Sequence, residues 1–234
     1  MFYLYCIITV LICWMSAPAS SSPQTAPSGA NMLLDYYQQW SMKTPYITRA
    51  TCLLLLASYL LSLLFRADMS FGNIPFYTLT HFEIYRLLTS PLVGNSLLNI
   101  AILLFVFPAL SGRMETSISS LGLLFLMGTI TLAVNSAFDL ICLLLYLSNA
   151  TPFALFYNCS GFWTIVFALI TVDCMHTPDV PRSLFIIQIP GKLYPLVLYG
   201  LFSLLGGGNL LSHGISLAFG YLYSLGYLDF LKVE

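Results

Sequence analysis

Charged residues are scarce in this sequence, in which Asp, Glu, Lys and Arg make up 7% of 234 residues. A soluble domain carries about 25% of these residues, so a water-soluble protein of this size could not be covered by them. Hydrophobic residues make up 59% of the chain, which also excludes an intrinsically disordered protein because disorder requires low hydrophobicity. The composition predicts a polytopic membrane protein that contacts the lipid bilayer.

An excess of positive charge is also lacking. The formal net charge is −1, so the sequence offers no basic footprint for nucleic acid. The six cysteines include no C-x-x-C pair, and most of them lie within apolar runs. This pattern predicts neither a zinc site nor a disulfide framework, and no metal or cofactor is expected. The cysteines are interpreted as small core residues.

Long apolar runs recur along the chain, and a spanning helix needs roughly 20 such residues. One run at the N-terminus is followed by a polar stretch rich in Ser, Pro and Gln. Six further runs predict an all-α bundle of six core helices, and the third of them is over-long and expected to be broken by Asp139. These six runs cover residues 47–65, 88–110, 121–147, 161–172, 193–205 and 210–230.

The chain is therefore divided into three parts: a hydrophobic segment at residues 1–19, a polar linker at 20–46 and a membrane domain at 47–231. The first part has the length and the Ala17-Pro18-Ala19 ending of a signal peptide, but no Lys or Arg precedes its apolar stretch.

The positive-inside rule favours retention of this N-terminal segment as an anchor. With both ends of the six-helix core in the cytosol, six of the eight basic residues lie on the cytosolic side, whereas signal cleavage would invert the bias. Arg66 and Arg86 are the two on the opposite side. The six are Lys43, Arg49, Arg113, Arg182, Lys192 and Lys232.

Polar groups at membrane depth are costly and are functional candidates. Ser160 enters the fourth core helix within Asn158-Cys159-Ser160-Gly161, and His213 lies in the sixth. Each residue alone is typical of packing or of a satisfied buried side chain. Together they supply a nucleophile and a general base, because the imidazole can accept the hydroxyl proton as serine attacks a carbonyl. Ser216 and Gly220 follow on the same helix as His213, and small residues at this spacing allow close helix approach.

These residues, in this order, resemble the rhomboid family of intramembrane serine proteases. Asn158-Cys159-Ser160-Gly161 resembles the family's Gly-x-Ser-Gly motif with its first Gly replaced, and His213, Ser216 and Gly220 resemble its His-x-x-Gly-x-x-x-Gly motif. Tyr85-Arg86 resembles the Trp-Arg of the first loop. Glu115 with Ser119-Ser120 resembles the Glu-x-x-x-Gly-Ser that follows the second core helix.

The resemblance also shows where this sequence departs from the family. Rhomboids place a His and an Asn on the second core helix to bind the oxyanion, and those positions fall at Asn99 and Leu103. The aromatic residue often found one turn after the serine is Thr164. The C-terminal tract resembles a eukaryotic subgroup with members that carry a ubiquitin-associated domain, which is not expected here.

The resemblance implies an endopeptidase that cleaves transmembrane helices, with Ser160 as nucleophile and His213 as general base. The oxyanion would contact backbone N–H groups near Ser160, including Gly161, aided by Asn99, while Asn158 adds bulk beside the substrate. The alternative is an inactive rhomboid-like protein that binds transmembrane clients for quality control or trafficking. A transporter or channel is a third hypothesis. An endomembrane such as the ER or Golgi is the expected location.

Overall fold

The computed structural model describes residues 38–65, 67–94, 96–184, 187–204 and 209–227. The predicted N-terminal segment at 1–19, most of the 20–46 linker and the last residues of the predicted 47–231 domain lie outside the described residues. Residues 38–43 are helical, within the stretch that the sequence assigned to the linker.

Helices dominate the described residues, with two 3-10 turns at Ser90–Leu92 and Ala154–Phe156 and one short hairpin. In chain order the helices and strands are α1 (Tyr46–Leu64), α2 (Ala67–Phe71), α3 (Pro75–Thr80), α4 (Arg86–Thr89), α5 (Leu97–Ile118), α6 (Ser120–Leu147), α7 (Trp163–His176), β1 (Pro181–Leu184), β2 (Ile187–Pro190), α8 (Tyr194–Leu204) and α9 (Leu210–Ser224).

The prediction of an all-α polytopic membrane protein is confirmed. In the described part of the chain, α1, α5 and α6 are long and apolar enough to cross a membrane, and α7 and α8 are shorter apolar helices. The antiparallel β1–β2 hairpin was not predicted. Its terminal pair is Pro181 opposite Pro190, which fits the ends of a strand because proline cannot donate to the ladder.

The boundaries of the second core helix were predicted wrongly, because α5 begins nine residues after the predicted start at residue 88 and ends after the predicted end at 110. Pro91 lies in a 3-10 turn, and Gly94 adopts φ +77, so the apolar run turns before the helix starts. Ser96 then caps α5 by accepting the N–H of Asn99 at 3.3 Å. At the other end, α5 continues past Arg113 to Ile118.

Asp139 does not break the third core helix, contrary to the prediction. Helix α6 is continuous from Ser120 to Leu147, and Asp139 is 3% exposed within it. A buried carboxylate is tolerated where a partner compensates its lost hydration, and Asn73 provides that partner by donating to Asp139 Oδ1 at 2.8 Å.

The core lies where α7 packs against α5, α6 and α9. Every residue from Thr164 to Leu169 is buried, so α7 is surrounded by protein along its first half. Phe107 of α5 meets Phe162 edge-to-face with ring centroids 5.0 Å apart, an arrangement favoured by the ring quadrupoles. The start of α7 is thereby fixed directly after Ser160.

The bundle has two distinct ends. The Ser160 end contains the first-loop segment, defined as residues 67–92, together with the loop at 148–162. The hairpin end contains the start of α1, the turn between α5 and α6, and the β1–β2 hairpin. In the predicted orientation the hairpin end faces the cytosol.

Charged side chains fix the hairpin end. Glu115, expected after the second core helix, lies in the last turn of α5 and accepts from the N–H groups of Ile47 and Thr48 at 2.8 Å each. It also accepts from the hydroxyls of Thr48 at 2.8 Å and Ser120 at 2.6 Å. One carboxylate therefore binds the start of α1 to the start of α6.

A second charged group at this end joins α7 to the neighbouring segments. Asp173 accepts from Arg182 at 2.8 Å and from Arg113 at 3.2 Å. These groups link α7 to the hairpin and to α5. Arg113 is largely exposed, as expected for a basic residue at the predicted cytosolic end.

Candidate functional site

Ser160 lies in an extended segment that enters α7, and two backbone hydrogen bonds hold its neighbours. The N–H of Cys159 donates to the carbonyl of Asn73 at 2.8 Å in an isolated antiparallel bridge. The N–H of Gly161 donates to the carbonyl of Ser90 at 3.1 Å. The first-loop segment therefore contacts the chain on both sides of Ser160.

Two polar residues of α6 form hydrogen bonds with the same first-loop segment. Asp139 accepts from the side chain of Asn73, and Asn135 donates to the hydroxyl of Ser90 at 2.8 Å and to the carbonyl of Leu87 at 2.6 Å. Asn135 and Asp139 are four residues apart, so they lie on one face of the helix. We refer to Asn73, Ser90, Asn135 and Asp139 as the polar clamp.

The polar clamp is buried throughout: Asn73 is 0% exposed, Ser90 1% and Asn135 4%. Thr78 extends the clamp by donating to Asn73 Oδ1 at 2.8 Å. Because unsatisfied polar groups are costly away from water, these contacts fix the segment's position relative to α6. Asn135 and Asp139 are thus linked through Asn73 and Ser90 to the backbone on both sides of Ser160.

The backbone at Gly94 approaches Ser160 closely. A Cβ built at Gly94 would lie 2.7 Å from the Cβ of Ser160, and Gly94 has φ +77. Glycine is required here both for the backbone conformation and for the space. The loop before α5 therefore forms one wall of the site.

The hydroxyl of Ser160 donates to Asn158 Oδ1. The backbone carbonyl of Asn158 accepts from the side-chain amide of Asn209, the residue that precedes α9. The side chains of Cys159 and Ser212 also interact. These contacts join the segment that carries Ser160 to the helix that carries His213.

His213 lies in the first turns of α9 and is 7% exposed. Its ring packs on Phe167 of α7, with centroids 4.8 Å apart and planes inclined by 35°. In the part of the chain that the structure describes, its buried Nδ1 has no hydrogen-bond partner. Ser160 and His213 are thus brought to the same end of adjoining elements, but no hydrogen bond between them is found among the described residues.

The two helices that carry these residues meet closely. A Cβ at Gly220 of α9 would lie 2.6 Å from the Cβ of Thr171 and 2.9 Å from the carbonyl oxygen of Ala168 on α7. Ser216 is fully buried and donates back to the carbonyl of Ser212 at 2.7 Å. Small residues at these two positions allow α9 to lie directly against α7.

The expected oxyanion positions lie on α5. Asn99 is partly buried in the first turn, where its N–H donates to Ser96. Leu103 is 0% exposed and belongs to the hydrophobic core. The N–H of Gly161 already donates to Ser90. Leu103 stands at a family donor position and has no donor to offer, and of the two expected donors, Asn99 and Gly161, the backbone N–H of Gly161 is occupied.

Tyr85 and Arg86 lie in the first-loop segment. Arg86 is buried and donates to the carbonyls of Met69 at 2.8 Å and Gly72 at 2.9 Å, and its guanidinium lies 4.8 Å from the centroid of the Tyr77 ring. Arg86 also forms a salt bridge with Glu83 in which its guanidinium donates a hydrogen bond to the carboxylate. This hydrogen bond lowers the pKa of Glu83 below its ordinary value. Arg86 thereby ties this segment together internally.

Sequence analysis missed three features of the site. It did not identify the polar clamp or the packing of Phe167 on His213. It also did not identify the contacts that Gly94 and Asn209 make with the serine segment. The ring of Phe167 contacts His213. Thr164, at the position where the family often has an aromatic residue, donates to the carbonyl of Gly161 at 3.1 Å. Asn135 and Asp139 did carry a signal, because both are polar residues in an apolar run at helical spacing.

The described residues contain no group of three or more His, Cys, Asp or Glu side chains suited to a metal ion. The arrangement instead offers an alcohol, an imidazole and several amides. In general an alcohol can act as a nucleophile, an imidazole as a general base and an amide as a hydrogen-bond donor.

Comparison with known proteins identifies the family. Residues 49–234 match the family described as "Eukaryotic integral membrane protein (DUF1751)". The chain is 29% identical over 202 residues to Rhomboid-like protein 15 of Arabidopsis thaliana, an alignment that covers 82% of this chain and 49% of that protein. The chain thus spans about half the length of this curated relative. The chain belongs to the DUF1751 family of eukaryotic integral membrane proteins and is rhomboid-like.

Proposed function

We propose that this rhomboid-like protein binds the transmembrane segments of other membrane proteins without cleaving them. The observation that carries the proposal is the hydrogen bond from the Ser160 hydroxyl to Asn158. A serine hydroxyl has one proton to donate. While that proton is directed at an amide oxygen, His213 does not receive it, and the step that makes serine nucleophilic is missing.

The surroundings of Ser160 support the same proposal. A tetrahedral intermediate needs preorganised donors, and losing one donor costs about 10²–10³ in rate. Leu103 supplies none, and the N–H of Gly161 is already occupied by the carbonyl of Ser90. Such a site retains a serine and a histidine but stabilises a developing oxyanion poorly.

Binding of a client helix fits the polar groups left at the Ser160 end. Asn158 and Asn209 are both exposed, at the end of the bundle where a client helix would leave the bilayer. The amide nitrogen of Asn158 and the amide oxygen of Asn209, which are not the atoms in the contacts above, can hydrogen-bond to the backbone of a helix that unwinds there. Interhelical polar contacts contribute about 0.6–2 kcal/mol in membranes.

The intramembrane serine endopeptidase is the second candidate. Ser160 and His213 favour it because the packing of α9 on α7 puts both on facing elements at one end of the bundle. Rotation of the Ser160 side chain away from Asn158 would be the required first step. His213 would then take the hydroxyl proton and return it to the leaving amine.

One experiment separates these two functions. The full chain is reconstituted in vesicles with a reporter transmembrane segment that carries a photocrosslinker and a fluorescent tag. We expect crosslinking to the wild-type protein with the reporter intact. Ser160→Ala serves as the matched control and should crosslink equally. Cleavage by wild type that disappears in Ser160→Ala would establish the protease instead.

An endomembrane location, the ER or Golgi, is part of the proposal. Fluorescence microscopy of the tagged full chain against ER and Golgi markers tests the location. Signal at the plasma membrane would contradict it.

A further inference from the structure

We propose that Asn158 is a built-in lock on a latent serine nucleophile, so that removing its side-chain amide makes Ser160 reactive through His213. The proposal rests on the non-cleaving function proposed above and names the residue that enforces it. Asn158 stands where the resemblance placed a glycine, which has no side chain to bind the serine hydroxyl.

Asn158 acts on the site through two different groups. Its side-chain Oδ1 accepts the Ser160 hydroxyl, and its backbone carbonyl accepts the side-chain amide of Asn209. Asn209 directly precedes the helix that carries His213. In the first contact the serine proton is donated to Asn158 and so is not donated to the imidazole, and the second contact ties the serine segment to the residue that precedes α9.

The imidazole that would act as the base has one nitrogen without a hydrogen-bond partner among the described residues. This nitrogen, Nδ1 of His213, is buried, and the ring contacts Phe167. The polar clamp and Gly94 hold the backbone of the serine segment independently of Asn158. Loss of the Asn158 side chain would therefore leave the backbone near Ser160 in place while freeing its hydroxyl.

The backbone at Asn158 tolerates the change. Asn158 is exposed, and it is not among the non-glycine residues with positive φ. Both Asn158→Gly and Asn158→Ala are therefore compatible with the fold. The alanine variant keeps a Cβ and lacks Oδ1, so it isolates the hydrogen bond to the serine hydroxyl from any gain in backbone freedom.

The test uses a fluorophosphonate probe on the full chain in vesicles. In the labelling step, Ser160 Oγ forms a bond to phosphorus, the P–F bond breaks with fluoride leaving, and the hydroxyl proton passes to His213. We expect little labelling of the wild type and an increase of about 10²-fold in Asn158→Gly, the lower range of what a positioned general base contributes. Asn158→Ala should show an increase of the same order.

Three further variants assign the reactivity. Adding Ser160→Ala or His213→Ala to Asn158→Gly should abolish the labelling. Asn209→Ala, which loosens the segment but keeps Oδ1, should increase labelling far less than Asn158→Gly. Labelling of Asn158→Ala at the wild-type level, in protein that still elutes as a folded species, would overturn the lock. So would labelling that survives the loss of His213.

Failure of the lock and failure of the proposed function give different results. If the wild type itself is labelled and cleaves the reporter segment, the non-cleaving function fails and the lock fails with it. If the wild type captures the reporter intact while both Asn158 variants stay unlabelled, the lock alone is refuted.

Discussion

The two ends of the bundle are held together by different chemistry. At the hairpin end, charged side chains make the connections: Glu115 joins α1, α5 and α6, and Asp173 joins α7 to Arg113 and Arg182. At the Ser160 end, amides and hydroxyls connect the first-loop segment to α6, and Asp139 is the one charged-type side chain within the clamp.

This difference follows from what each end must do. The hairpin end needs fixed helix positions, and a carboxylate with several donors around it provides strong, directional contacts. At the Ser160 end the side chains that hold the first-loop segment are buried in the protein, where a charge without partners is costly. Neutral amides can satisfy backbone groups there at lower cost. The contrast predicts that a single substitution at the hairpin end lowers the free energy of unfolding more than a single substitution at the Ser160 end.

Substitution of Glu115 should have the largest effect on stability. Glu115→Leu leaves two backbone N–H groups and two hydroxyls without their acceptor, and hydrogen bonds to charged groups contribute about 1.5–3 kcal/mol each. We expect a loss of more than about 3 kcal/mol in the free energy of unfolding, measured by denaturant titration in micelles. Glu115→Gln keeps one acceptor oxygen and should lose less. Equal losses in both variants would show that the hydrogen bonds do not dominate at this position.

Substitution of Asp139 tests the polar clamp and should have a smaller effect. Asp139→Leu leaves the buried amide of Asn73 without its acceptor, at a cost of about 1–3 kcal/mol. Asp139→Asn keeps an oxygen at the same place and should recover most of it. If the clamp positions Ser160, Asp139→Leu placed in the Asn158→Gly background should also reduce fluorophosphonate labelling. Unchanged labelling would separate the clamp from the serine.

The contact between α7 and α9 links the two ends. Gly220→Ala forces a methyl group to within 2.6 Å of the Thr171 Cβ, and overpacking costs about 1–3 kcal/mol. Gly128→Ala on α6 is the matched control, because a Cβ there meets nothing within 4 Å. We expect Gly220→Ala to lower the unfolding midpoint and Gly128→Ala to leave it unchanged or raise it. Similar effects in both would contradict close packing at Gly220.

The smallest expected effect concerns a charge at the Ser160 end that lies outside the clamp. Because the hydrogen bond with Arg86 lowers the pKa of Glu83, the pair stabilises the folded state above the ordinary glutamate pKa. This contribution is lost as the pH falls through the lowered value. Unfolding measured against pH should therefore show a weak acidic decline that is reduced in Glu83→Gln. An identical decline in the variant would assign it to other carboxylates.

Much of the fold could be read from the sequence, because hydrophobic length alone constrains a membrane helix. The helix at residues 120–147 matched its apolar run closely. The second core helix did not, because Pro91 and Gly94 turn the chain inside an apolar run, and hydropathy does not distinguish a turn packed against protein from a helix facing lipid. The prediction that Asp139 breaks a helix was wrong because its hydrogen-bond partner Asn73 lies 66 residues away in the sequence. The pattern of neighbouring residues could not indicate that the carboxylate has a partner.

The candidate site was also predicted only in part from the sequence. Ser160 and His213 could be picked out because they are polar residues in apolar surroundings. The hydrogen-bond partner of Ser160 could not be predicted, because the orientation of a hydroxyl depends on which acceptor lies within reach once the chain has folded. Asn158 was recognised as added bulk beside the site, and only its contact with the hydroxyl indicated a lock.

The sequence by itself determined that this chain is a rhomboid-like membrane protein with an N-terminal apolar run and six core apolar runs, and it located one serine and one histidine on two of the six. The reason is that long apolar helices are stable in a bilayer and isolated polar groups are unfavourable there. Both effects depend on residues that are close together in the sequence. Only the tertiary structure decided that Ser160 binds Asn158, that Phe167 contacts His213, and that two amides, a hydroxyl and a carboxyl from distant segments form the polar clamp. Each of these contacts joins residues whose distance in space is set by helix packing.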